Sequence, residues 1–123
     1  MQVVIVEPEK NPRVQSIEDS LASMQEIVGG TIQAVYPFDE PVALICNDEG
    51  KLLNLPLNRA LRDSDGRVYD IVAGTFFLCG APASSDRFDS LTVEQVQHFL
   101  KRFSASEQFV RAGDAVFVLP EYL

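Results

Sequence analysis

The sequence predicts an α+β fold, in which a mixed or antiparallel sheet is covered by two helices. Two segments place their apolar residues at helical spacings, and several short β-branched runs are separated by turns rich in Gly, Pro and Asp. At 123 residues the chain has room for one domain, because single-core domains commonly run to roughly 100–150 residues. We therefore expect residues 1–123 to form a single domain.

The first segments predict a hairpin followed by a helix. A β-branched run covers Gln2 to Val6, and a second strand is expected to pair back over Arg13 to Ile17. Apolar residues then fall at spacings of four, three and four between Ile17 and Val28, which places one stripe on a helix. Gly29-Gly30 ends that helix, because glycine takes the left-handed position without a steric clash.

The middle of the chain predicts further strands and tight turns. Strands are expected over Thr31 to Tyr36 and Val42 to Cys46, and the turn ending at Gly50 should return the chain through a strand at Lys51 to Leu55. Pro56 to Leu61 is too short for a stable helix, so we expect a helical turn there.

The second half predicts the most buried strand and the second helix. A reversal at Asp63 to Gly66 precedes an apolar run that Gly74 divides, and the most buried strand is expected at Thr75 to Cys79. Thr92 and Gln95 form a capping box. The stripe of the helix that follows consists of Val96, Phe99, Leu100 and Phe103.

The end of the chain predicts one further short strand over Ala115 to Leu119, with Pro120 to Leu123 fraying. The order of hairpin, helix and further strands is that of a β-grasp domain, in which a mixed sheet wraps one helix. A β-grasp-like arrangement is therefore one form that the predicted α+β fold can take.

Charge limits the partners that the protein can bind. The net charge of −8 is dispersed along the chain, and such a surface repels phosphate backbones and anionic lipid headgroups. Free nucleic acid and membranes are therefore not expected partners. No run approaches the ~20 apolar residues of a membrane helix, and the opening MQVVIVEPEK lacks a basic leader, so we expect an acidic, cytoplasmic protein.

The residues that usually carry chemistry form no complete catalytic or metal-binding set in the sequence. Cys46 and Cys79 lie in apolar runs and are expected in the core, with a disulfide or a reactive thiol as the alternative. His98 falls opposite the stripe of its helix and is expected to face water. Asp63-Ser64-Asp65-Gly66 lacks the third oxygen ligand and the final Glu of a calcium loop, so a turn is expected. We therefore predict no enzyme, no metal and no cofactor.

The candidate binding residues are polar groups in apolar surroundings together with nearby aromatic rings. Asn58, Arg59 and Arg62 could hold a carboxylate, a phosphate or an amide at the protein exterior. The alternative is that Asn58 caps a turn and Arg59 pairs with a neighbouring Asp. The rings that could frame this spot are those of Tyr36, Phe38 and Tyr69, with core packing as the alternative for Phe38.

Four segments carry a family resemblance: VVIVEP, SLASMQEIVGG, VYPFDEPVALICNDEGKLLNLPLNRALRD and YDIVAGTFFLCG. They resemble an uncharacterised domain-of-unknown-function family of small proteins from Gram-positive bacteria, their phages and conjugative elements. The family-like part spans residues 2–102, and residues 104–123 form a C-terminal extension. The resemblance implies an accessory role in a mobile element and carries over no catalytic residues.

These observations leave several functions open. The first is a non-enzymatic accessory protein of a phage or mobile element that binds a protein partner such as a host-defence component. The second is a domain that sequesters a small anionic ligand such as a nucleotide, with Arg59 and Arg62 on its charged group. The third is DNA mimicry by aligned carboxylates. A homo-oligomer is compatible with each of them.

Overall fold

The computed structural model describes residues 1–120, which form nine strands and two helices. In chain order these elements are β1 (Gln2–Val6), β2 (Arg13–Ser16), α1 (Leu21–Val28), β3 (Ile32–Val35), β4 (Val42–Asn47), β5 (Leu57–Arg62), β6 (Val68–Ala73), β7 (Phe76–Gly80), α2 (Val93–Arg102), β8 (Glu107–Ala112) and β9 (Ala115–Pro120).

Five strands form the main sheet in the order β2-β1-β7-β4-β3, and every pairing in it is antiparallel. Leu78 on the central strand β7 lies opposite Val4 on one side and Leu44 on the other. All five residues of β7 are buried, which confirms the prediction that the most buried strand lies in this part of the chain. The predicted α+β class is likewise confirmed, and the main sheet is antiparallel.

The two faces of the main sheet pack against different elements. Successive side chains on a strand point to opposite faces, so Val3 and Ile5 join one apolar cluster while Val4 and Val6 join the other. The first cluster includes buried side chains of α1. The second includes α2 together with a separate hairpin made of β5 and β6. A β-grasp arrangement is not confirmed by this topology.

Both helices begin at residues whose side chains cap the free backbone N–H groups. Thr92 accepts from the N–H of Gln95 at 3.1 Å, and the Gln95 side chain accepts from the N–H of Thr92 at 2.9 Å, which confirms the predicted capping box. Helix α1 begins after Ser20, whose hydroxyl accepts from the N–H of Ser23. The helix is therefore shorter than the stripe from Ile17 predicts, and Gly29 ends it in the left-handed conformation as expected.

The segment around Pro56 differs from its predicted structure. The strand expected at Lys51 to Leu55 is wrong, because these residues form consecutive turns in which Asn54 has a φ of +57°. The helical turn expected at Pro56 to Leu61 is also wrong, because Leu57–Arg62 is strand β5 and pairs with β6. The turn between β5 and β6 begins at Asp63, whose carboxylate accepts hydrogen bonds from the N–H groups of Asp65 and Arg67.

The C-terminal extension contains a hairpin instead of a single strand. Strand β8 was not predicted, and it pairs with β9 along its whole length across the turn at Gly113, where φ is +63°. Fraying was expected from Pro120 onwards. Pro120 instead lies in β9, and residues 121–123 lie outside the described part of the chain. No helix in the described residues is long and apolar enough to cross a membrane.

Candidate functional site

The Asn58-Arg59 pair lies inside the protein. Both side chains sit on β5, and both residues are only 1% exposed. The prediction that the Arg59 guanidinium lies at the exterior, free to hold a partner, is therefore wrong. The physical reason is that both faces of β5 are buried, so these adjacent side chains meet internal acceptors in place of water.

Backbone carbonyl groups from distant parts of the chain surround the Arg59 guanidinium. Its Nε and Nη2 donate to the carbonyl of Phe103 at 3.3 and 3.1 Å, and Nη2 also donates to the carbonyl of Lys10 at 2.7 Å. Phe103 follows the last residue of α2, where the partial negative charge of the helix end favours a cation. Arg59 thus joins β5, the turn after β1 and the C-terminal end of α2.

Asn58 completes this buried network from the same strand. Its Nδ2 donates to the carbonyls of Val6 and Gly74, each at 2.9 Å, and its Oδ1 accepts from Nη1 of Arg59 at 2.9 Å. Nη1 also donates to the Asn58 carbonyl. A half-satisfied network would be costly in the interior, so these contacts give Asn58 and Arg59 a structural role. The expected cap on a helical turn is wrong for Asn58, which lies within a strand.

Arg62 is exposed and holds the C-terminal hairpin. Its Nη1 and Nη2 donate to the two carboxylate oxygens of Glu107 at 3.3 and 3.1 Å, and Glu107 also accepts from the N–H of Ala60. The Glu107 side chain is largely buried. Arg62 therefore serves an internal contact between β5 and β8.

The three candidate aromatic residues lie in different surroundings. Phe38 packs against the core, where its ring centroid lies 4.7 Å from that of Phe99 and the Arg102 guanidinium covers it. Core packing was the alternative predicted for this residue. Tyr36 and Tyr69 are 62% and 56% exposed. Of the six predicted binding residues, only Tyr69 lines the cleft described next.

This cleft has a volume of about 420 Å³ and lies between β6, the turns before β5 and the C-terminal hairpin. We refer to it as the Tyr69 cleft. Its polar lining consists of Lys51, Asn54, Tyr69, Asp70 and Arg111. Its apolar lining consists of Leu55, Leu57, Val68, Ile71, Ala73 and Val116. Such a mixture of apolar walls and a few polar groups is typical of binding sites.

The charged groups of the Tyr69 cleft leave one cation uncompensated. Lys51 Nζ lies 2.5 Å from Asp70 Oδ1, so these two charges offset each other. Among residues 1–120, Arg111 takes part in no ion pair. The cleft is thus locally cationic in a chain whose net charge is −8.

Lys51 and Arg111 were not predicted as residues of this cleft, because Lys51 was expected in a strand and the hairpin that carries Arg111 was not predicted. The signal that could have found Arg111 is Gly113-Asp114, a two-residue turn between two alternating segments, which is typical of a hairpin. A hairpin there would have brought Arg111 and Val116 to opposite positions, as they are in the structure.

The cysteines and the histidine do not contribute to this cleft. Burial raises the pKa of the Cys79 thiol to about 12, and burial likewise raises the pKa of Cys46, so both behave as the buried hydrophobic residues expected. His98 is half-exposed, but it does not simply face water, because its Nε2 lies 3.4 Å from Glu40 Oε2. In the described residues, no cluster of His, Cys, Asp or Glu could hold a metal ion.

The fold and the cleft define a small α+β protein with a locally cationic surface site. The chain belongs to the family described as a domain of unknown function (DUF3846), whose model matches residues 1–104. The expected membership in a domain-of-unknown-function family is thereby confirmed. No curated protein and no solved structure matches the chain. The matched residues end before β8, so Arg111 and Val116 lie outside the family domain.

Proposed function

We propose that the protein is a non-enzymatic binding module that holds an extended segment of a protein partner in the Tyr69 cleft. The observation that carries this proposal is the cleft itself, in which a half-exposed tyrosine and an arginine without an ion pair among the described residues stand beside apolar walls. Tyr and Arg are enriched at the centres of protein interfaces, because each combines a large contact area with polar groups.

Local charge supports a partner segment that carries a carboxylate next to an apolar side chain. The planar guanidinium of Arg111 can donate two hydrogen bonds to a carboxylate, while Ile71 and Val116 contact the apolar group. The overall charge of −8 favours a basic partner at long range, but salt screens exposed charges beyond about 8–10 Å. Within the cleft, the nearby guanidinium of Arg111 therefore determines which charged group is bound.

This proposal replaces most of the contact surface predicted from the sequence. Asn58 and Arg59 are buried and Arg62 holds Glu107, so their contribution to binding is to fix the elements that carry the cleft. Phe38 packs in the interior. Tyr69 stays in the proposed surface, and Tyr36 is an exposed tyrosine outside the cleft lining.

The biological setting that we propose is that of a cytoplasmic accessory protein of a phage or mobile element. The resemblance of the chain to small proteins of such elements supports this role, and it suggests a host-defence component as the partner. The partner class rests on that resemblance, whereas the position of the contact rests on the cleft.

Matched tyrosine variants test the proposed contact surface. Capture of the partner from the native host should be lost for Tyr69→Ala and retained for Tyr36→Ala, because only the first removes a ring that lines the cleft. Circular dichroism of both variants controls for folding. Retained capture by folded Tyr69→Ala, or loss with Tyr36→Ala alone, would place the contact elsewhere.

A second candidate function is the sequestration of a small anionic ligand in the same cleft. The cleft volume of about 420 Å³ lies within the ~300–1,000 Å³ of small-molecule sites, and Arg111 could donate to a phosphate. A nucleotide at about a hundred times its Kd should add ~2.7 kcal/mol of stability in a thermal-shift assay. Arg111→Ala should abolish that gain, and a screen without any shift would remove this candidate.

A further inference from the structure

Strand β3 is the last strand of the main sheet, and no strand among residues 1–120 pairs with the side of its backbone that faces away from β4. The N–H of Asp48 donates to the carbonyl of Thr31 across this strand pair. Hydrogen-bonded and non-hydrogen-bonded pairs alternate along an antiparallel ladder, so Ile32 and Ala34 direct their N–H and carbonyl groups away from β4. These outward groups are a template for a further strand.

The two edges of the main sheet differ in their protection against such pairing. Strands β2 and β3 are both four residues long. Strand β2 follows Pro12 and begins at Arg13, which donates to the carboxylate of Glu7 at 2.6 Å. Proline and charged side chains are the usual devices that block an edge, and the sequence of β3, IQAV, contains neither. Of these two edges, β3 is therefore the one open to strand addition.

A recess of about 180 Å³ lies on one face of β3. Gln33 and Val35 line it from β3, and Leu52 and Ile71 line it from neighbouring elements. Residues directly opposite each other on paired strands project to the same face of a sheet. A residue of an added strand that lies opposite Gln33 would therefore point its side chain to the face that carries the recess.

This recess is negatively charged. Asp48 and Glu49 line it, and neither takes part in an ion pair within the described part of the chain. Asp70 also lines it, with its charge offset by Lys51. Burial raises the pKa of the Cys46 thiol in the lining, and the charges of Asp70 and Asp48 raise it further. A cationic side chain would be stabilised here.

We propose that the β3 edge binds an extended segment of another protein by antiparallel strand addition, with a Lys or Arg opposite Gln33 and apolar residues opposite Ile32 and Ala34. Ile32 and Ala34 pack against the apolar cluster that includes α1, so apolar partners would extend that cluster. A second copy of this chain fits poorly, because β3 offers no basic side chain and each copy carries a net charge of −8. The proposal does not depend on a partner in the Tyr69 cleft.

A capped peptide, acetyl-Thr-Val-Val-Lys-Val-Thr-amide, tests the strand addition. In the proposed register its lysine lies opposite Gln33, and the valines before and after the lysine lie opposite Ala34 and Ile32. An NMR titration should shift the amide signals of Ile32 and Ala34, and hydrogen exchange at both amides should slow. Unchanged signals at both residues throughout the titration would overturn the proposal.

Methylated peptides separate strand pairing from general adhesion. The N–H of the valine before the lysine points at the carbonyl of Ala34, so its N-methylation should weaken binding roughly tenfold or more. The N–H of the lysine points away from β3, so its N-methylation should leave the affinity unchanged. Equal affinities of the two methylated peptides would contradict pairing with β3.

Replacement of the peptide lysine by glutamate tests the acidic recess. Binding should weaken roughly threefold or more, because the recess then faces a like charge. The double variant Asp48→Asn with Glu49→Gln should lose most of this preference for lysine, while the unmodified side of the peptide still pairs with β3. Equal affinities of the lysine and glutamate peptides for the wild-type protein would contradict the proposed basic residue.

Matched proline variants locate the contact on the protein. Ala34→Pro removes an outward N–H and no hydrogen bond of the main sheet, and proline is tolerated at such edge positions. Val14→Pro makes the same change on β2, because the bonded pair of Met1 and Ile17 fixes the alternation there. Thermal unfolding establishes that both variants fold.

Peptide binding should be lost with Ala34→Pro and retained with Val14→Pro. Binding that survives in folded Ala34→Pro would overturn the proposal. Sedimentation velocity of the protein without peptide tests the other occupant. A dimer that Ala34→Pro abolishes would show that a second copy fills the β3 edge, and it would overturn the proposed partner.

Discussion

The Nε and Nη2 atoms of Arg59 both donate to the carbonyl oxygen of Phe103, at 3.3 and 3.1 Å. This contact ties the middle of β5 to the end of α2, although the two residues are far apart in sequence. Because β5 also pairs with β6, the same contact fixes the strand that carries Tyr69. The buried polar network thus supports the proposed binding surface from beneath.

Removal of the Arg59 guanidinium should destabilise the whole domain. Arg59→Ala leaves the buried acceptors of Asn58 and Phe103 without their donor, and we expect a loss of about 3 kcal/mol or more in the free energy of unfolding. Urea denaturation measures this loss. Arg13→Ala is the control, because its ion pair with Glu7 is exposed and worth about 1 kcal/mol or less. Equal losses in both variants would contradict the structural role of Arg59.

Gly74 should resist substitution for two separate reasons. Its φ is +84°, and an added Cβ would lie 2.8 Å from Cδ1 of Leu55. Gly74→Ala should therefore cost roughly 1–3 kcal/mol. Gly66→Ala isolates the conformational part, because Gly66 has a similar φ of +80° and open space around it. A cost for Gly74→Ala no greater than that for Gly66→Ala would show that the contact with Leu55 is unimportant.

The buried Cys79 thiol should make the protein less stable at alkaline pH. Burial raises the pKa of the folded-state thiol from 9.0 to about 12, so the folded protein retains a proton that the unfolded chain releases. The stabilisation is fully present below pH 9, and it is lost as the pH rises towards 12 at about 1.4 kcal/mol per pH unit. Unfolding of wild type and Cys79→Ala across this range measures the difference, and parallel profiles would contradict it.

Glu107 should hold the C-terminal hairpin on the domain. Glu107→Ala removes the acceptors for Arg62 and for the N–H of Ala60, which should cost about 1 kcal/mol in local stability. Amide hydrogen exchange should then accelerate in residues 107–120, while the main sheet is unaffected. Asp114→Ala in the exposed hairpin turn is the control. Unchanged exchange in the Glu107→Ala hairpin would show that other contacts hold it.

Local signals in the sequence account for the parts of the fold that were predicted well. The capping box of Thr92 and Gln95 involves residues three apart, and the buried run of β7 needs only its own apolar residues. Strand β5 was missed because Leu57, Ala60 and Leu61 fit a helical turn as well as a strand. Its pairing with β6 decides between them, and that pairing is a tertiary property.

The site was harder to predict because burial depends on distant parts of the chain. Arg59 can be buried because backbone carbonyl groups 44 and 49 residues away accept its hydrogen bonds. No local sequence pattern predicts acceptors that are so distant along the chain. Tyr69 was predicted as a binding residue because aromatic residues are common at interfaces, and the structure places it in the lining of the cleft. Arg111 was missed because the hairpin that carries it was not predicted, although Gly113 marks its turn.

The most direct test of the proposed function is the footprint of the captured partner, measured by amide hydrogen exchange of the protein alone and in the complex. We expect slower exchange in residues 68–73 and 111–116, which line the Tyr69 cleft, and no change around Tyr36. Protection around Tyr36 with an unchanged cleft would contradict the proposed site.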